Sequence, residues 1–233
     1  RRYLHEIKFD GYRIEARLER GRVRLLTRSG LDWTDRFGAG IRDAIATLPA
    51  TDALLDGEVV VEAANGASDF SALQADLSEG RADRFVYYAF DLLHLEGQDL
   101  TGAPLVERRA VLENLLGAAG ADGEGPLRLS AAFENDGALV LQHACRLSLE
   151  GVVSKLKDAP YRSGRSRDWI KSKCSERQEF VIAGFVPSTT ARNAIGSLVL
   201  GVFENGRLVP VGRVGTGFSN RMAVDLHALL EED

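Results

Sequence analysis

Apolar and charged residues alternate from Arg13 to Glu19, with Ile14, Ala16 and Leu18 in the apolar positions. A period of two predicts a half-buried strand. Arg20-Gly21 punctuates the pattern and Val23 to Thr27 resumes it, so the two runs read as a hairpin. Arg28-Ser29-Gly30 ends the hairpin, and Asp32-Trp33-Thr34 opens an irregular connection. Ile41, Ala44, Ile45 and Leu48 then recur at helical spacing up to Pro49. Leu54 to Val61 is a strand, apolar except for Asp56-Gly57-Glu58. Phe70, Leu73 and Leu77 place one apolar face on a helix over Asp69–Glu79. Phe85–Leu93 is strongly β-prone, and Leu105–Leu116 is a helix that starts after Pro104. A glycine-rich loop, Gly117 to Gly125, precedes a helix over Asp136–Leu147 and a strand over Glu150–Lys155.

After Cys174-Ser175-Glu176 the rhythm changes. Short strands are predicted over Phe180–Val186, Ser197–Phe203 and Arg207–Val214, with Asn205-Gly206 as a hairpin turn between the last two. Ser219 caps a final helix through Met222, Leu226 and Leu229. Closely spaced strands with glycine corners suggest a small barrel.

Composition narrows the class without naming a chemistry. The 233 residues are 45% hydrophobic and 27% charged, the balance of an ordinary globular chain of one large domain, or one domain and a small module. No run of about 18 apolar residues offers a membrane span, and Arg1-Arg2-Tyr3-Leu4-His5 has no signal-peptide core. Two cysteines, Cys145 and Cys174, are too few for a disulfide framework or a four-cysteine zinc site and fit a reduced cytoplasmic setting. The net charge of −5 argues weakly against nucleic acid, but its distribution is uneven. Between Lys155 and Arg177 eight cations face three acids (net +5), which leaves −10 on the remainder. That split suggests one basic face on an acidic body, although a solvated loop would read alike.

The candidate chemistry begins at Glu6-Ile7-Lys8-Phe9-Asp10-Gly11-Tyr12-Arg13. Gly11 permits a bend or a close backbone approach, and beside it the Lys8 amine could reach a bound electrophile. Lysine attacks only when deprotonated, which desolvation or a neighbouring cation promotes. Arg13 could supply that charge or clamp phosphate oxygens. Taken alone, the octet reads more readily as a solvated strand whose charges alternate with Ile7, Phe9 and Tyr12.

The octet resembles motif I of the covalent nucleotidyltransferases, K-x-D-G-x-R, shared by polynucleotide ligases and messenger-RNA capping enzymes. Further breaks in the pattern resemble that family's later motifs, in order. Arg28-Ser29-Gly30 is similar to motif Ia and Asp56-Gly57-Glu58 to motif III. Tyr88-Ala89-Phe90-Asp91 is similar to motif IIIa, Glu150-Gly151-Val152-Val153-Ser154-Lys155 to motif IV, and Trp169-Ile170-Lys171-Ser172-Lys173 to motif V. Each also has a plain structural reading. Arg28 could simply end a hairpin, Phe90 could be core, and Lys171 and Lys173 could sit on a surface strand. An acid such as Glu58 inside an apolar strand does need a partner, however. Side chains at i and i+2 of a strand share a face, so Lys171 and Lys173 would aim at one anion.

The resemblance covers nearly the whole chain. Thr27–Thr34 and Tyr161-Arg162-Ser163-Gly164-Arg165-Ser166 make it most similar to the ligase domain of bacterial end-joining DNA ligases. It implies an α+β fold: a nucleotidyltransferase (adenylation) domain of antiparallel sheets with flanking helices over 1–175, then a partial OB-fold β-barrel over 176–233. It implies Lys8 as the nucleophile that carries AMP from ATP. It further implies a nucleotide site drawn from Glu6, Arg13, Arg28, Glu58, Phe90, Lys155, Lys171 and Lys173, and Mg2+ (or Mn2+) on Glu58 and Glu150. The expected partners are nicked or broken duplex DNA, with Ku and fused polymerase or phosphoesterase modules, in the bacterial cytoplasm at the nucleoid, with no membrane. The chain starts seven residues before Lys8 and stops short of the family's motif VI, which implies a piece of a longer protein. An RNA ligase or a capping-type guanylyltransferase would use the same lysine, and a silent nucleic-acid-binding module would keep the fold without an adduct. NAD-dependent ligases lack a counterpart of Arg13 and need four zinc-binding cysteines.

Overall fold

The computed structural model describes residues 2–121, 123, 125–164, 166–174 and 179–231. The chain divides into two compact units, Arg1–Cys174 and Ser175–Asp233. The predicted boundary at 175/176 lies outside the described residues, as do Arg165, Glu176 and Arg177.

The first unit is built on two sheets. Its elements in order are β1 (Tyr3–Ile7), β2 (Tyr12–Glu19), β3 (Arg22–Thr27), α1 (Gly38–Ala46), β4 (Asp52–Val61), α2 (Phe70–Glu79), β5 (Phe85–Leu95), β6 (Gln98–Asp99), α3 (Leu105–Ala118), β7 (Leu127–Leu129), β8 (Ala132–Phe133), α4 (Gly137–Arg146), β9 (Gly151–Leu156) and β10 (Trp169–Lys173). One sheet runs β3-β2-β4-β5-β6, all antiparallel, with β7 added parallel to β5; the other runs β10-β9-β1-β8. This is the α+β architecture of antiparallel sheets and flanking helices that the sequence predicts.

The large sheet follows its period-two pattern. Ile14, Ala16 and Leu18 of β2, with Leu25, Leu55, Val59, Phe85 and Tyr87, form the main core under α1 and the apolar side of α3. Burying side chains of this size contributes roughly 1.5–3 kcal/mol each. The helices begin where predicted. Asp69 accepts the Ala72 N–H at 2.9 Å, and Asp136 accepts that of Ala138 at 2.9 Å, so their carboxylates satisfy orphan helix donors. The predicted alternation misses β1, a strand with three buried residues in a row, and the two- and three-residue strands β6, β7 and β8.

Cys145 and Cys174 depart from the reduced-thiol expectation: they form a disulfide, with Cα atoms 5.3 Å apart. The end of α4 and the residue after β10 meet on a small core of Val140, Ala144 and Val152, which brings the sulfurs together.

The second unit holds β11 (Val181–Pro187), β12 (Ile195–Glu204), β13 (Arg207–Val214) and α5 (Asn220–Glu231). The strands form an antiparallel meander, with the Asn205-Gly206 turn between β12 and β13. Ser219 accepts the Met222 N–H at 3.2 Å and so caps α5, whose Ala223 packs with Ala194 and Ile195.

Candidate active site

Pairing of β1 with β9 sets the position of the first candidate. Glu6 lies opposite Val153 and Ile7 opposite Val152, and the Lys8 N–H donates to Gly151 O at 2.9 Å. Lys8 therefore leaves β1 beside Glu150. On the other side β9 pairs with β10, where Lys173 lies opposite Gly151 and Lys171 opposite Val153. Gly151 is required at this junction, because a Cβ there would sit 2.1 Å from Ser172 O. Gly11 has the same constraint, with Val59 O 2.2 Å from an added Cβ. It lets the chain turn tightly from β1 to β2 over β4.

The result is a set of lysines around one carboxylate. Glu150 accepts from Lys8 on Oε2 and from Lys173 on Oε1, the latter at 3.0 Å. The pairing with Glu150 raises the Lys173 pKa. Lys171 lines the same cleft as Lys8; burial lowers its pKa first, and the neighbouring Lys8 charge lowers it further.

The large sheet supplies the opposite wall. Arg13 of β2 and Tyr88 of β5 flank Glu58 of β4 in register, so Arg13 and Glu58 share a face. Burial pushes the Glu58 carboxyl up to about 7 against the pull of Lys8, Lys171, the Gly11 N–H and Arg13. That N–H donates to Glu58 at 3.1 Å. The cleft, about 70 Å3, is lined by Lys8, Arg13, Glu58, Phe90, Lys155 and Lys171, together with Glu6, Trp169 and their neighbours.

Two expected contacts take a different form. Both oxygens of Glu6 are occupied in a buried network: Arg109 donates at 3.1 Å, Lys155 at 2.8 Å and the Ser130 hydroxyl at 3.3 Å. Glu6 thus holds Lys155, whose amine sits 4.3 Å from the Phe90 ring centre and 4.2 Å from that of Trp169. Arg28 does not line the Lys8 cleft. It is exposed in an adjoining recess with Glu15, Tyr161 and Ser163, and Arg13 is common to both hollows. The hairpin end carries Arg28 past the wall on which Arg13 stands.

The residues that sequence reasoning left without a role are those that orient these groups. Asp56, fully buried, accepts from Arg13 Nε at 3.0 Å and Nη2 at 2.5 Å, and from the Tyr161 hydroxyl at 3.0 Å. Burial opposes the Arg13 charge, but the bound Asp56 carboxylate outweighs it and raises the arginine pKa. The Arg13 guanidinium lies 5.1 Å from the Trp169 ring centre and 5.5 Å from that of Phe90. Asp56 had a signal, a charge inside an apolar run. Arg109 had none, since it meets Glu6 across 103 residues of sequence.

A lysine amine, a cationic wall and two carboxylates in one cleft suit phosphoryl chemistry, in which positioning and charge stabilisation do most of the work. Residues 1–173 match the family described as ATP dependent DNA ligase domain, and residues 191–233 match ATP dependent DNA ligase C terminal region. The chain is 48% identical over 220 residues to the multifunctional non-homologous end joining protein LigD of Pseudomonas aeruginosa, covering 93% of this chain and 26% of that protein. It is 36% identical over 230 residues to LigD of Mycobacterium tuberculosis, covering 98% of this chain and 29% of that protein. It therefore spans between a quarter and a third of the length of these relatives. The crystal structure of the ligase domain from M. tuberculosis LigD superposes with a TM-score of 0.66 at 35% identity, covering 99% of this chain and 72% of that one. A mycobacterial DNA ligase D complexed with ATP and MES gives a TM-score of 0.65 at 34% identity, covering 99% of this chain and 72% of that one. Across nearly its whole length, the chain belongs to the ATP-dependent DNA ligase family.

Proposed function

We propose that this chain seals breaks with a 5′-phosphate and a 3′-hydroxyl in duplex DNA, through AMP carried on Lys8. The observation that carries this reading is the Lys8 amine beside Glu150, in a cleft that Lys171 and Arg13 also line. Lys8 Nζ attacks the α-phosphorus of ATP. A nitrogen–phosphorus bond forms, the bond to the bridging oxygen breaks, and pyrophosphate leaves with the electron pair. Glu150, already in contact with that amine, is placed to take its proton. An oxygen of the 5′-phosphate next attacks the same phosphorus and releases Lys8. The 3′-hydroxyl then attacks the 5′-phosphorus and AMP departs.

The cations divide this work. Lys171 faces the reacting phosphorus from the cleft wall, and Lys173 balances Glu150 once Lys8 has reacted. Lys155, held by Glu6, supports the Phe90 ring on which the purine stacks. Among the described residues no three His, Cys, Asp or Glu side chains form a dedicated metal cluster. Mg2+ commonly binds one or two carboxylates together with substrate phosphates, and Glu58 and Glu150 fit that pattern. Mg2+, or Mn2+, supplies charge neutralisation at the phosphates when bound there.

We assign residues 1–175 as the nucleotidyltransferase domain and 176–233 as part of an OB-fold. The biological setting we infer is end joining of double-strand breaks in a bacterial cytoplasm, with Ku and further catalytic modules as partners. The names of the LigD relatives, multifunctional non-homologous end joining proteins of bacteria, support the end-joining part of this reading. Among the described residues no helix is long and apolar enough to cross a membrane. Incubation of a labelled nicked duplex with protein, ATP and Mg2+ tests the activity. Sealing with ATP is expected; sealing only of nicks with RNA ends, or an adduct only from GTP, would overturn it.

A further inference from the structure

The crossing from β1 to β2 carries Lys8 outside both ladders. β1 ends at Ile7 and β2 begins at Tyr12, so residues 8–11 are placed by individual contacts rather than by strand pairing. Three of these contacts are hydrogen bonds. The Lys8 N–H donates to Gly151 O at 2.9 Å, the Asp10 N–H to the Ser68 hydroxyl at 2.9 Å, and the Gly11 N–H to Glu58 at 3.1 Å. A further contact is between rings. Phe9 stacks on Tyr88 with ring centres 4.2 Å apart and planes inclined by 18°.

Tyr88 is fixed from its other end. Its neighbours Tyr87 and Ala89 on β5 belong to the core, which turns Tyr88 to the opposite face of the sheet, in register with Glu58 on β4. On the far side β7 places Arg128 directly opposite it. The Tyr88 hydroxyl donates to Glu62 Oε1 at 2.5 Å. Arg128 Nη1 donates to both Glu62 oxygens at 3.1 Å and to the Tyr88 hydroxyl at 3.2 Å. A ring tied at its hydroxyl to this ion pair cannot swing away from Phe9 without breaking those bonds. Phe9 in turn follows Lys8 directly, and its carbonyl accepts from the lysine amine at 3.4 Å.

We propose that Tyr88 is a positioning residue for Lys8: its ring, fixed by Glu62 and Arg128, holds Phe9 and so sets the reach of the neighbouring amine toward the α-phosphorus of ATP. This rests on the reading of Lys8 as the nucleophile of a DNA-sealing site. An attacking atom must sit about 3–3.5 Å from its target, and misplacement by about 1 Å can cost roughly 100-fold in rate. The contact therefore acts on formation of the nitrogen–phosphorus bond. The last step does not use the Lys8 amine as nucleophile, because there the 3′-hydroxyl attacks the 5′-phosphorus of an adenylated nick and AMP departs. A positioning role thus predicts a split between the two steps, whereas a general role in the fold would slow both.

The test compares the parent chain with Tyr88→Leu, Tyr88→Phe, Phe9→Leu and the Phe9→Leu/Tyr88→Leu double variant. Each is measured in single-turnover adenylation across an ATP series and in sealing of a pre-adenylated nick. Tyr88→Leu is expected to lower the maximal adenylation rate about tenfold or more. Its half-saturating ATP concentration and its rate on the pre-adenylated nick should stay within about twofold of the parent. Tyr88→Phe keeps the ring and should retain most of the adenylation rate. Phe9→Leu should resemble Tyr88→Leu, and the double variant should be little slower than either single, because both remove the same contact. A parental adenylation rate in Tyr88→Leu would overturn the assignment. So would losses that multiply in the double variant, an equal loss on the pre-adenylated nick, or a Tyr88→Phe variant as slow as Tyr88→Leu. Absence of AMP on Lys8 in the parent chain would instead overturn the ligase reading, and the role of Tyr88 with it.

Discussion

Lys8 and Glu150 stand 142 residues apart in the sequence and meet as an ion pair, with the other oxygen of Glu150 held by Lys173. One carboxylate thereby bridges Lys8, the proposed nucleophile, and Lys173 of β10. Glu150→Gln keeps an acceptor but removes the charge. Adenylation by ATP is expected to fall at least tenfold, about 1.4 kcal/mol of transition-state stabilisation. Single-turnover rates with labelled ATP measure this. A rate within twofold of the parent would show that Glu150 is dispensable in the first step.

Lys173 gives a smaller and cleaner effect. Its side chain is 69% exposed, so Lys173→Ala should leave the melting temperature unchanged while slowing adenylation. Thermal melts and rates on the same preparation separate the two readouts. A variant with a parental rate would restrict Lys173 to a surface role.

The buried network of Glu6, Lys155 and Arg109 predicts a stability effect instead. Removal of one partner from a buried ion pair leaves an uncompensated charge, at a cost of about 3–5 kcal/mol. Glu6→Ala, Arg109→Met and Glu6→Ala/Arg109→Met should all melt lower, with the double variant losing less than the sum of the singles. Strict additivity in denaturant titrations would mean that the pair is not coupled.

Glu58 makes stability depend on pH. Its folded-state pKa, raised to about 7, lies above the ordinary value of 4.5, so between those values the folded state binds more protons than the unfolded one. Stability therefore falls as pH rises through that window, by up to about 3 kcal/mol at roughly 1.4 kcal/mol per pKa unit. Glu58→Gln should flatten this decline in unfolding titrations from pH 5 to 8. An equal slope in parent and variant would contradict the shift.

The parts of this site that repeat along the chain were legible in the sequence. Alternation around Ile14, Ala16 and Leu18 located β2, and the Lys171/Lys173 spacing indicated one face of a strand. What was hidden depended on contacts between distant segments. Glu6 is preoccupied because α3 brings Arg109 against it, and nothing near residue 6 or residue 109 signals that. Arg28 lies outside the Lys8 cleft because β3 ends one strand away from the wall, a matter of sheet geometry rather than local pattern. Asp56 stood in plain view beside Glu58, but its partner Tyr161 is 105 residues away.

Intact-mass and peptide mass spectrometry after incubation with ATP and Mg2+ tests the role of Lys8 most directly. The chain should gain the mass of one AMP, located on the peptide that contains Lys8 and released by pyrophosphate. Lys8→Arg should show no adduct, with its fold retained. An adduct on any other residue, or full adenylation of Lys8→Arg, would contradict the assignment of the nucleophile.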